Sequence, residues 1–529
     1  MISFNNSFHC LLFLIYLMFA KSDGYRILVI APLNSKSHNN MMESVGKALA
    51  LKGHQVDIIT HFKLKNPPKN FTTIINLDGT LKDMVNTWTL EMVEHYRNVD
   101  IVPTVVKDFG SNLCELMGLE EMQKFIKNPP KDPPYDLVIT EALGENCFFG
   151  FGHILKVPVV MVSSLTELLW FDDILGNPMS NAYTVNMETK NFRIVTFWDR
   201  VENHFWALYN NYRFFKFTEE HQTELMRKYL SPDIPNIREI EKQTSLLLIN
   251  AYQSYFGIRP LTPAMIQIAG IQIELSETKI TPELKTWMDE SKDGVVFFTL
   301  GSMVIIEDFP KEILQSLYAS FTKLAPIRVL MKIVNKEKLP PGLPKNVLTM
   351  SWIPQIPVLK HKNTKIFMTH GGLNSAQEGL YFAVPMIGFP LFGDQPLNIR
   401  LLADKNVAYE IDYKDITEKS LTKALNAVLY DPKYRNAAKR ESQLFRDRPM
   451  TATETTVFWV EYIIRNGANS LRSPSMDMPW WKAELVDVYL FFFTSLLLIS
   501  YTAFFILKKI ICLFNKSLNS NSSKHKKRD

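Results

Sequence analysis

The sequence predicts an α/β chain with two doubly wound parallel sheets, followed by one apolar helix long enough to cross a membrane. Three observations predict it. "YRILVIAP" (25–32), then the helical pattern and second apolar run of "SHNNMMESVGKALALKGHQVDIIT" (37–60), give strand, helix, strand, the unit of a parallel sheet. A second series of short apolar runs, "GVVFFTLGS", "RVLMKIV", "NVLTMSW", "KIFMTH" and "PMIGFP", begins at Gly294, with helix-like segments between most of them. "VYLFFFTSLLLISYTAFFIL" (488–507) holds no charged residue and reaches the roughly 20 residues that a bilayer span requires.

Within the first half, "YDLVIT" and "VPVVMVSS" form a further strand pair around a helix-like stretch from Cys147 to Leu155. The segment "FWDRVENHFWALYNNYRFF" (197–215) reads as a substrate wall, a membrane-facing surface or an ordinary core helix. A chain of 529 residues accommodates two domains and accessory segments. The expected division is a removable leader at 1–24, domains at 25–270 and 271–470, a juxtamembrane segment at 471–487, the span at 488–507 and a basic tail at 508–529.

The net charge of +5 is an effect of that tail: from Lys508 onward there are seven Lys and Arg against one Asp, leaving the rest at −1. Nothing in the body therefore argues for nucleic acid. The leader's apolar run is "CLLFLIYLMFA" (10–20), of signal-peptide length. Lys508–Lys509 close the span, so by the positive-inside rule the tail is cytosolic and the body lies across the membrane. Lys526–Lys527, fourth and third from the end, resemble the dilysine address that returns membrane proteins to the endoplasmic reticulum. The expectation is a single-pass type I protein of that membrane with a lumenal body. Asn70 in "NFT" is then a glycosylation candidate, while the acceptors at Asn515 and Asn521 are cytosolic. Cys114 and Cys147 in the body are no disulfide framework, and their spacing offers no zinc site.

The first strand is followed by "PLNSKSH", without the glycine fingerprint of dinucleotide folds, and no Walker loop, H-E-x-x-H or serine elbow occurs. Hydride transfer is disfavoured. In "FMTHGGLNSAQEGL" (367–380) a strand ends at Thr369, the glycines turn, and a helix begins near Asn374 or Ser375. The unpaired N–H groups of such a start suit a phosphate. His370, Asn374 and Ser375 can add hydrogen bonds, and Glu378, one turn on, can accept from ribose hydroxyls. A metal at His370 would need further ligands, and the sequence offers none nearby. Upstream, Trp352 suits stacking on a base and Gln355 its edge; downstream, Asp394 and Gln395 suit sugar hydroxyls.

From Trp352 to Gln395 these elements, in this order, resemble the signature of the UDP-glycosyltransferase family, closest to its animal membrane-bound, particularly insect, branch. "FTLGSM" before it and "FWVEYIIRNGANSLRSPSMDMPWW" after it are similar to the same family. The resemblance implies a GT-B fold, two Rossmann-like domains facing a cleft, with acceptor in the first and UDP-sugar in the second. It implies Ser302 at the phosphates, Trp352 and Gln355 at uracil, and His370, Asn374 and Ser375 at the pyrophosphate, with Gly371 in the turn. Glu378 would hold the ribose, and Asp394 with Gln395 the sugar. No cofactor and no metal are implied, the UDP-sugar being the donor substrate.

An alcohol is a poor nucleophile until its proton is leaving, so transfer needs a base. His38, beyond the first strand, stands at the family's catalytic histidine, and imidazole has a suitable pKa. Many relatives orient it with an Asp; here the stretch is "YDLVITEALGENCFFG", where Glu141 matches best by spacing, Glu145 next, and Asn146 stands where some relatives have Asp. The implied reaction is inverting transfer of glucose, or of glucuronate, to a hydroxyl of a small lipophilic acceptor, as in detoxification. The alternative is a membrane-tethered nucleotide-sugar-binding partner subunit with impaired catalysis. Homo- or hetero-oligomer formation is open.

Overall fold

Short runs of β-branched and aromatic residues, buried on both faces, become strands. The computed structural model describes residues 24–186 and 192–525. The leader, save Gly24, and the lysine pair at 526–527 lie outside them. The first sheet contains β1 (Arg26–Ala31), β2 (Gln55–Thr60), β3 (Phe71–Asn76), β4 (Leu137–Glu141), β5 (Val159–Ser163), β6 (Thr244–Ile249) and β7 (Met265–Gln267). All pairs are parallel and the order is β3-β2-β1-β4-β5-β6-β7. The second contains β8 (Val295–Thr299), β9 (Arg328–Lys332), β10 (Val347–Met350), β11 (Thr364–Thr369), β12 (Met386–Gly388) and β13 (Ala408–Glu410), parallel in the order β10-β9-β8-β11-β12-β13. The doubly wound halves expected from the sequence are thus present, and in each the strand order reverses beside the first strand, at β1/β4 and at β8/β11.

Alternation along β1 shows why its run is uniformly apolar. Ile27, Val29 and Ala31 enter one core with Met41, Val45 and Leu49 of α1 (Lys36–Lys52), while Leu28 and Ile30 enter the core on the opposite face. That second core continues into the other half, taking in Phe297 of β8 and Phe367 of β11, so the two sheets share apolar packing.

α2 (Phe197–Tyr229) carries the aromatic segment. At its N-terminal end the aromatics point outward, Trp198 being 73% exposed, and Asn203, Asn210 and Asn211 are buried. Asn203 donates to the carbonyls of Asn181 (2.8 Å) and Thr184 (2.9 Å), which satisfies this inward polar face. Toward the C-terminal end of the segment Phe214 is buried and stacks on Trp170, so only that part is an apolar core helix.

The second half contributes α3 (Leu373–Tyr381), α4 (Gln395–Asp404) and α5 (Ala452–Asn466). A capping box of Thr451 and Glu454 starts α5. Ala452, Val460 and Ile463 of α5 then join the α1 side of the first sheet, and His54 Nε2 lies 3.1 Å from Glu461 Oε1. Residues to Arg472 form one structural unit holding both sheets; Ser473–Asp529 form another. The latter is dominated by α6 (Val486–His525), of which Val486–Leu518, 33 residues, is apolar and long enough to cross a membrane. The helix runs past Leu507, where the span was expected to end, because Lys508 and Lys509 favour helix and no Gly or Pro follows.

Cys114 and Cys147 form a disulfide. A count of two cysteines gave no pairing; the fold brings together segments separated by 33 residues. Because closing such a loop restricts the unfolded chain, Cys114→Ser should lower stability by about 2–4 kcal/mol, read as an earlier urea midpoint than wild type without reductant. Equal midpoints would argue that the bond does not form in the cell.

Candidate functional site

The two reversals of strand order open onto one cavity of about 550 Å3, lined from both halves. Crevices outside the carboxyl ends of strands at such reversals are where open α/β sheets bind ligands. His38 sits in the first turn of α1, just beyond β1, and Glu141 is the last residue of β4. His38 Nδ1 is 2.5 Å from Glu141 Oε1, and Ser164 Oγ donates to the same oxygen at 2.8 Å. His38 lines the cavity, whereas Glu141 stands behind it, 1% exposed. Burial depresses the His38 pKa, but the charge and hydrogen bond of Glu141, with the more distant charge of Asp394, outweigh it and raise the pKa above 6.5.

The other two candidates face elsewhere. Glu145 is wholly buried and accepts from the Gly144 N–H at 2.7 Å; burial and then the Glu141 charge push its pKa well up. Asn146 donates to Glu241 Oε1 at 2.6 Å.

At the second reversal, β8 ends at Thr299 and the chain turns through Gly301 and Ser302, and β11 leads into His370. Gly371 takes φ +85°, and a Cβ there would lie 2.3 Å from Ile399, so only glycine serves. It does not line the cavity; its carbonyl accepts from Asn398 at 3.0 Å. The His370 ring is gripped between Gly301 and Gly372, where added Cβ atoms would come within 2.6 Å of it. Burial, then the nearby Lys332 charge, lower its pKa to about 3, so His370 is a neutral imidazole offering an N–H. α3 starts at Leu373, and no side chain caps it.

The remaining expected residues divide between lining and support. Gln355 Nε2 donates to Ser375 Oγ (3.1 Å) and Glu378 Oε2 (2.6 Å), joining three of them into one cluster. Burial raises Glu378 to about 7, against the opposing Gln355 hydrogen bond. Trp352, 51% exposed on the cavity rim, is a free stacking face with Lys332 Nζ 5.7 Å from its ring. Asn374 lines the cavity, and its side chain is engaged from the first half: Nδ2 donates to the Ser37 carbonyl at 3.0 Å, and Oδ1 accepts from Asn250 at 2.8 Å. Asp394 accepts from Asn398 Nδ2 at 2.6 Å, and burial raises its pKa, against which Asn398 and the His38 charge act. Gln395 Oε1 accepts from the N–H groups of Leu391 (3.0 Å) and Phe392 (3.3 Å), leaving its amide donors. The Ser302 carbonyl accepts from Asn86 N–H at 2.8 Å, while the residue lines the cavity.

Lys332, at the end of β9, was missed by sequence reasoning. It is 5% exposed and donates to Asn86 Oδ1 (2.6 Å) and the Gly301 carbonyl (2.7 Å), a buried cation beside His370. Burial lowers its pKa to about 8, with Glu307 opposing. A lysine closing the apolar run "RVLMK" was the available signal. The apolar wall was also misplaced: among the described residues α2 contributes nothing to the cavity, which is walled by Met84, Trp88, Tyr96, Phe109 and Leu165. Trp88 stacks between Tyr96 (4.7 Å) and Phe392 (4.8 Å), so this wall spans both halves. Among the described residues no group of three or more His, Cys, Asp and Glu could hold a metal ion.

Comparison with known proteins gives three findings. Residues 26–525 match the family described as "UDP-glucoronosyl and UDP-glucosyl transferase". The chain is 34% identical over 511 residues to UDP-glucosyltransferase 2 of Dactylopius coccus, covering 95% of both, and 28% identical to UDP-glucuronosyltransferase 2C1 of Oryctolagus cuniculus, covering 93% of this chain and 99% of that one. The solved glycotransferase of kitacinnamycin shares the fold at a TM-score of 0.53 and 16% identity, covering 84% of this chain and 99% of that one.

Gly372 has φ −55° and ψ 140°, which alanine tolerates, yet its Cβ would lie 2.6 Å from His370 Nε2. Gly372→Ala should therefore displace the imidazole at a stability cost of about 1–3 kcal/mol and weaken UDP binding about tenfold or more. Calorimetric titration with UDP checks this; wild-type affinity would mean that His370 does not touch the nucleotide.

Proposed function

From the membership of this chain in the UDP-glycosyltransferase family, whose enzymes transfer a sugar from UDP to an acceptor, we propose which residues carry that transfer here and in what order. The observation that carries the reading is His38, held by Glu141 at 2.5 Å, lining the same cavity as the uncapped start of α3.

Residues 25–270 form the acceptor domain and 271–470 the donor domain. Uracil stacks on Trp352 with Gln355 at its edge, and Glu378 accepts from the ribose. The diphosphate meets the first N–H groups of α3, His370, Ser302 and the Lys332 ammonium. Asp394 and the Gln395 amide hold the hexose. His38 Nδ1 is taken by Glu141, so Nε2 faces the acceptor hydroxyl. As that oxygen forms its bond to the anomeric carbon, its proton passes to Nε2; the bond from the anomeric carbon to the diphosphate oxygen breaks, and its electron pair leaves with UDP. In-line attack inverts the anomeric centre. Charge growing on UDP is met by fixed dipoles and one cation, in place before the reaction. Glu141 stabilises the imidazolium and fixes the tautomer.

The acceptor is a small lipophilic hydroxyl compound, as in conjugation and detoxification, because the wall by Trp88 and Tyr96 is apolar. The donor is UDP-glucose, because the Dactylopius coccus relative is named a glucosyltransferase. We further propose that the body lies in the endoplasmic reticulum lumen with the dilysine tail in the cytosol, single-pass type I.

Turnover of UDP-glucose against UDP-glucuronate, with a phenolic acceptor, is the first test. His38→Ala should cut UDP release about 10²–10⁴-fold; release unchanged in that variant would remove His38 as base. No turnover with any UDP-sugar despite UDP binding would favour a non-catalytic partner subunit.

His38 must be neutral to take a proton, so kcat/KM should fall as pH drops through a pKa above 6.5. Glu141→Gln removes the raising charge and leaves burial, so this acid limb should move to lower pH while kcat declines. A limb that stays in place or rises would contradict the pairing.

Asn70 lies in the turn before β3. If the body is lumenal, microsomal protein should shift in a gel on endoglycosidase H treatment, and Asn70→Gln should abolish the shift. A wild-type protein without any shift would count against a used Asn70 acceptor.

A further inference from the structure

A closed circuit of hydrogen bonds joins the base to the donor helix, and its members outside the expected site are Ser37, Ser164 and Asn250. From His38 Nδ1 it passes to Glu141 Oε1 (2.5 Å), and Ser164 Oγ donates to that oxygen (2.8 Å). The Ser164 carbonyl accepts from Asn250 Nδ2 (2.9 Å), which also donates to Asn374 Oδ1 (2.8 Å). Asn374 Nδ2 donates to the Ser37 carbonyl (3.0 Å), and that carbonyl belongs to the peptide leading into His38. The directions of both amides are fixed by geometry, because the Ser164 and Ser37 partners are carbonyl oxygens and can only accept.

Asn250 is 0% exposed and does not line the cavity. It follows β6 and is held on both sides: its N–H donates to the Ser163 carbonyl (3.0 Å), and its carbonyl accepts from Gln377 of α3 (2.9 Å). So α3 has two working sides. Ser375 and Glu378 face the donor half of the cavity, while Asn374 and Gln377 reach the segments that hold His38 and Glu141. Between buried groups such bonds are strong, and leaving one unmade is costly, so the circuit favours a single arrangement.

We propose that Asn250 is a positioning residue through which occupancy of the donor half orders the His38–Glu141 pair. A nucleotide that seats α3 tightens three bonds, two on Asn250 and one on Ser37, and these end at the base. The base is thus set once the donor is bound. This rests on the assignment of α3 to the donor and of His38 to the proton.

The test compares wild type with Asn250→Asp, which keeps the volume but replaces the one nitrogen that donates both bonds with an oxygen facing two acceptors. In wild type, UDP should slow amide exchange across residues 35–40 by about fivefold or more, the size of a typical coupling between sites, and in Asn250→Asp by less than about twofold. Equal UDP-dependent slowing in both, or none in wild type, overturns the proposal. If Asn250→Asp does not fold, Asn250→Ser, retaining one donor, carries the same comparison. A purely structural role would lower the melting temperature of either variant without removing the UDP effect. A second arm measures kcat for Asn250→Ser, Asn374→Ala and both together: members of one circuit should give a double variant within about twofold of the worse single, whereas multiplying losses count against the circuit. The exchange arm requires only UDP binding, so absent turnover in wild type would refute the transferase reading and leave this inference under its own test.

Discussion

In a doubly wound sheet the crossovers on either side of the first strand leave in opposite directions, and their loops splay apart at the carboxyl ends, so a crevice forms that no loop fills. Here two such crevices belong to sheets that share apolar packing through Phe297 and Phe367, and together they make one cavity. His38 and Glu141 flank the first reversal; Gly301 and His370 flank the second. Were the order of either sheet different, the same side chains would lie on separate edges. The short strands and their parallel registers thus do as much for the site as the polar residues.

Within the cavity, burial divides similar groups into different ones. Glu141 and Glu145 lie four residues apart, and burial, then repulsion from Glu141, push the Glu145 pKa up while Glu141 pairs with a histidine. His38 and His370 form a matching contrast: a carboxylate lifts the first, and burial beside Lys332 lowers the second to about 3. One imidazole is therefore the readier to take a proton, and the other stays a neutral hydrogen-bond donor. Chain position alone does not distinguish the members of either pair.

The two-sheet architecture was readable because apolar runs of five or six residues alternate with helical periodicity, and the turn at His370 was readable because glycines and polar residues cluster at a strand end. The order of elements from Trp352 to Gln395 identified the family before any coordinate. What escaped reading depends on distance through space. Cys114 with Cys147, and Asn250 with Asn374, meet only after the sheets are wound. Lys332 looked like the polar end of a strand until its burial beside His370 was visible. In α2 the pattern was misleading because at its N-terminal end the exposed side is aromatic and the buried side is satisfied by asparagines, while Phe214, Leu225 and Met226 farther along enter the core.

The return of α5 to the first sheet has a mechanical consequence. The chain passes from the first half to the second between β7 and β8 and comes back between Phe445 and Ala452, so the second half is attached at two places rather than one. A body joined at a single point can swivel in any direction; one joined at two can only swing about the line between them. Two connections therefore tie the His370 side of the cavity to the His38 side, where a single one would leave it free to twist.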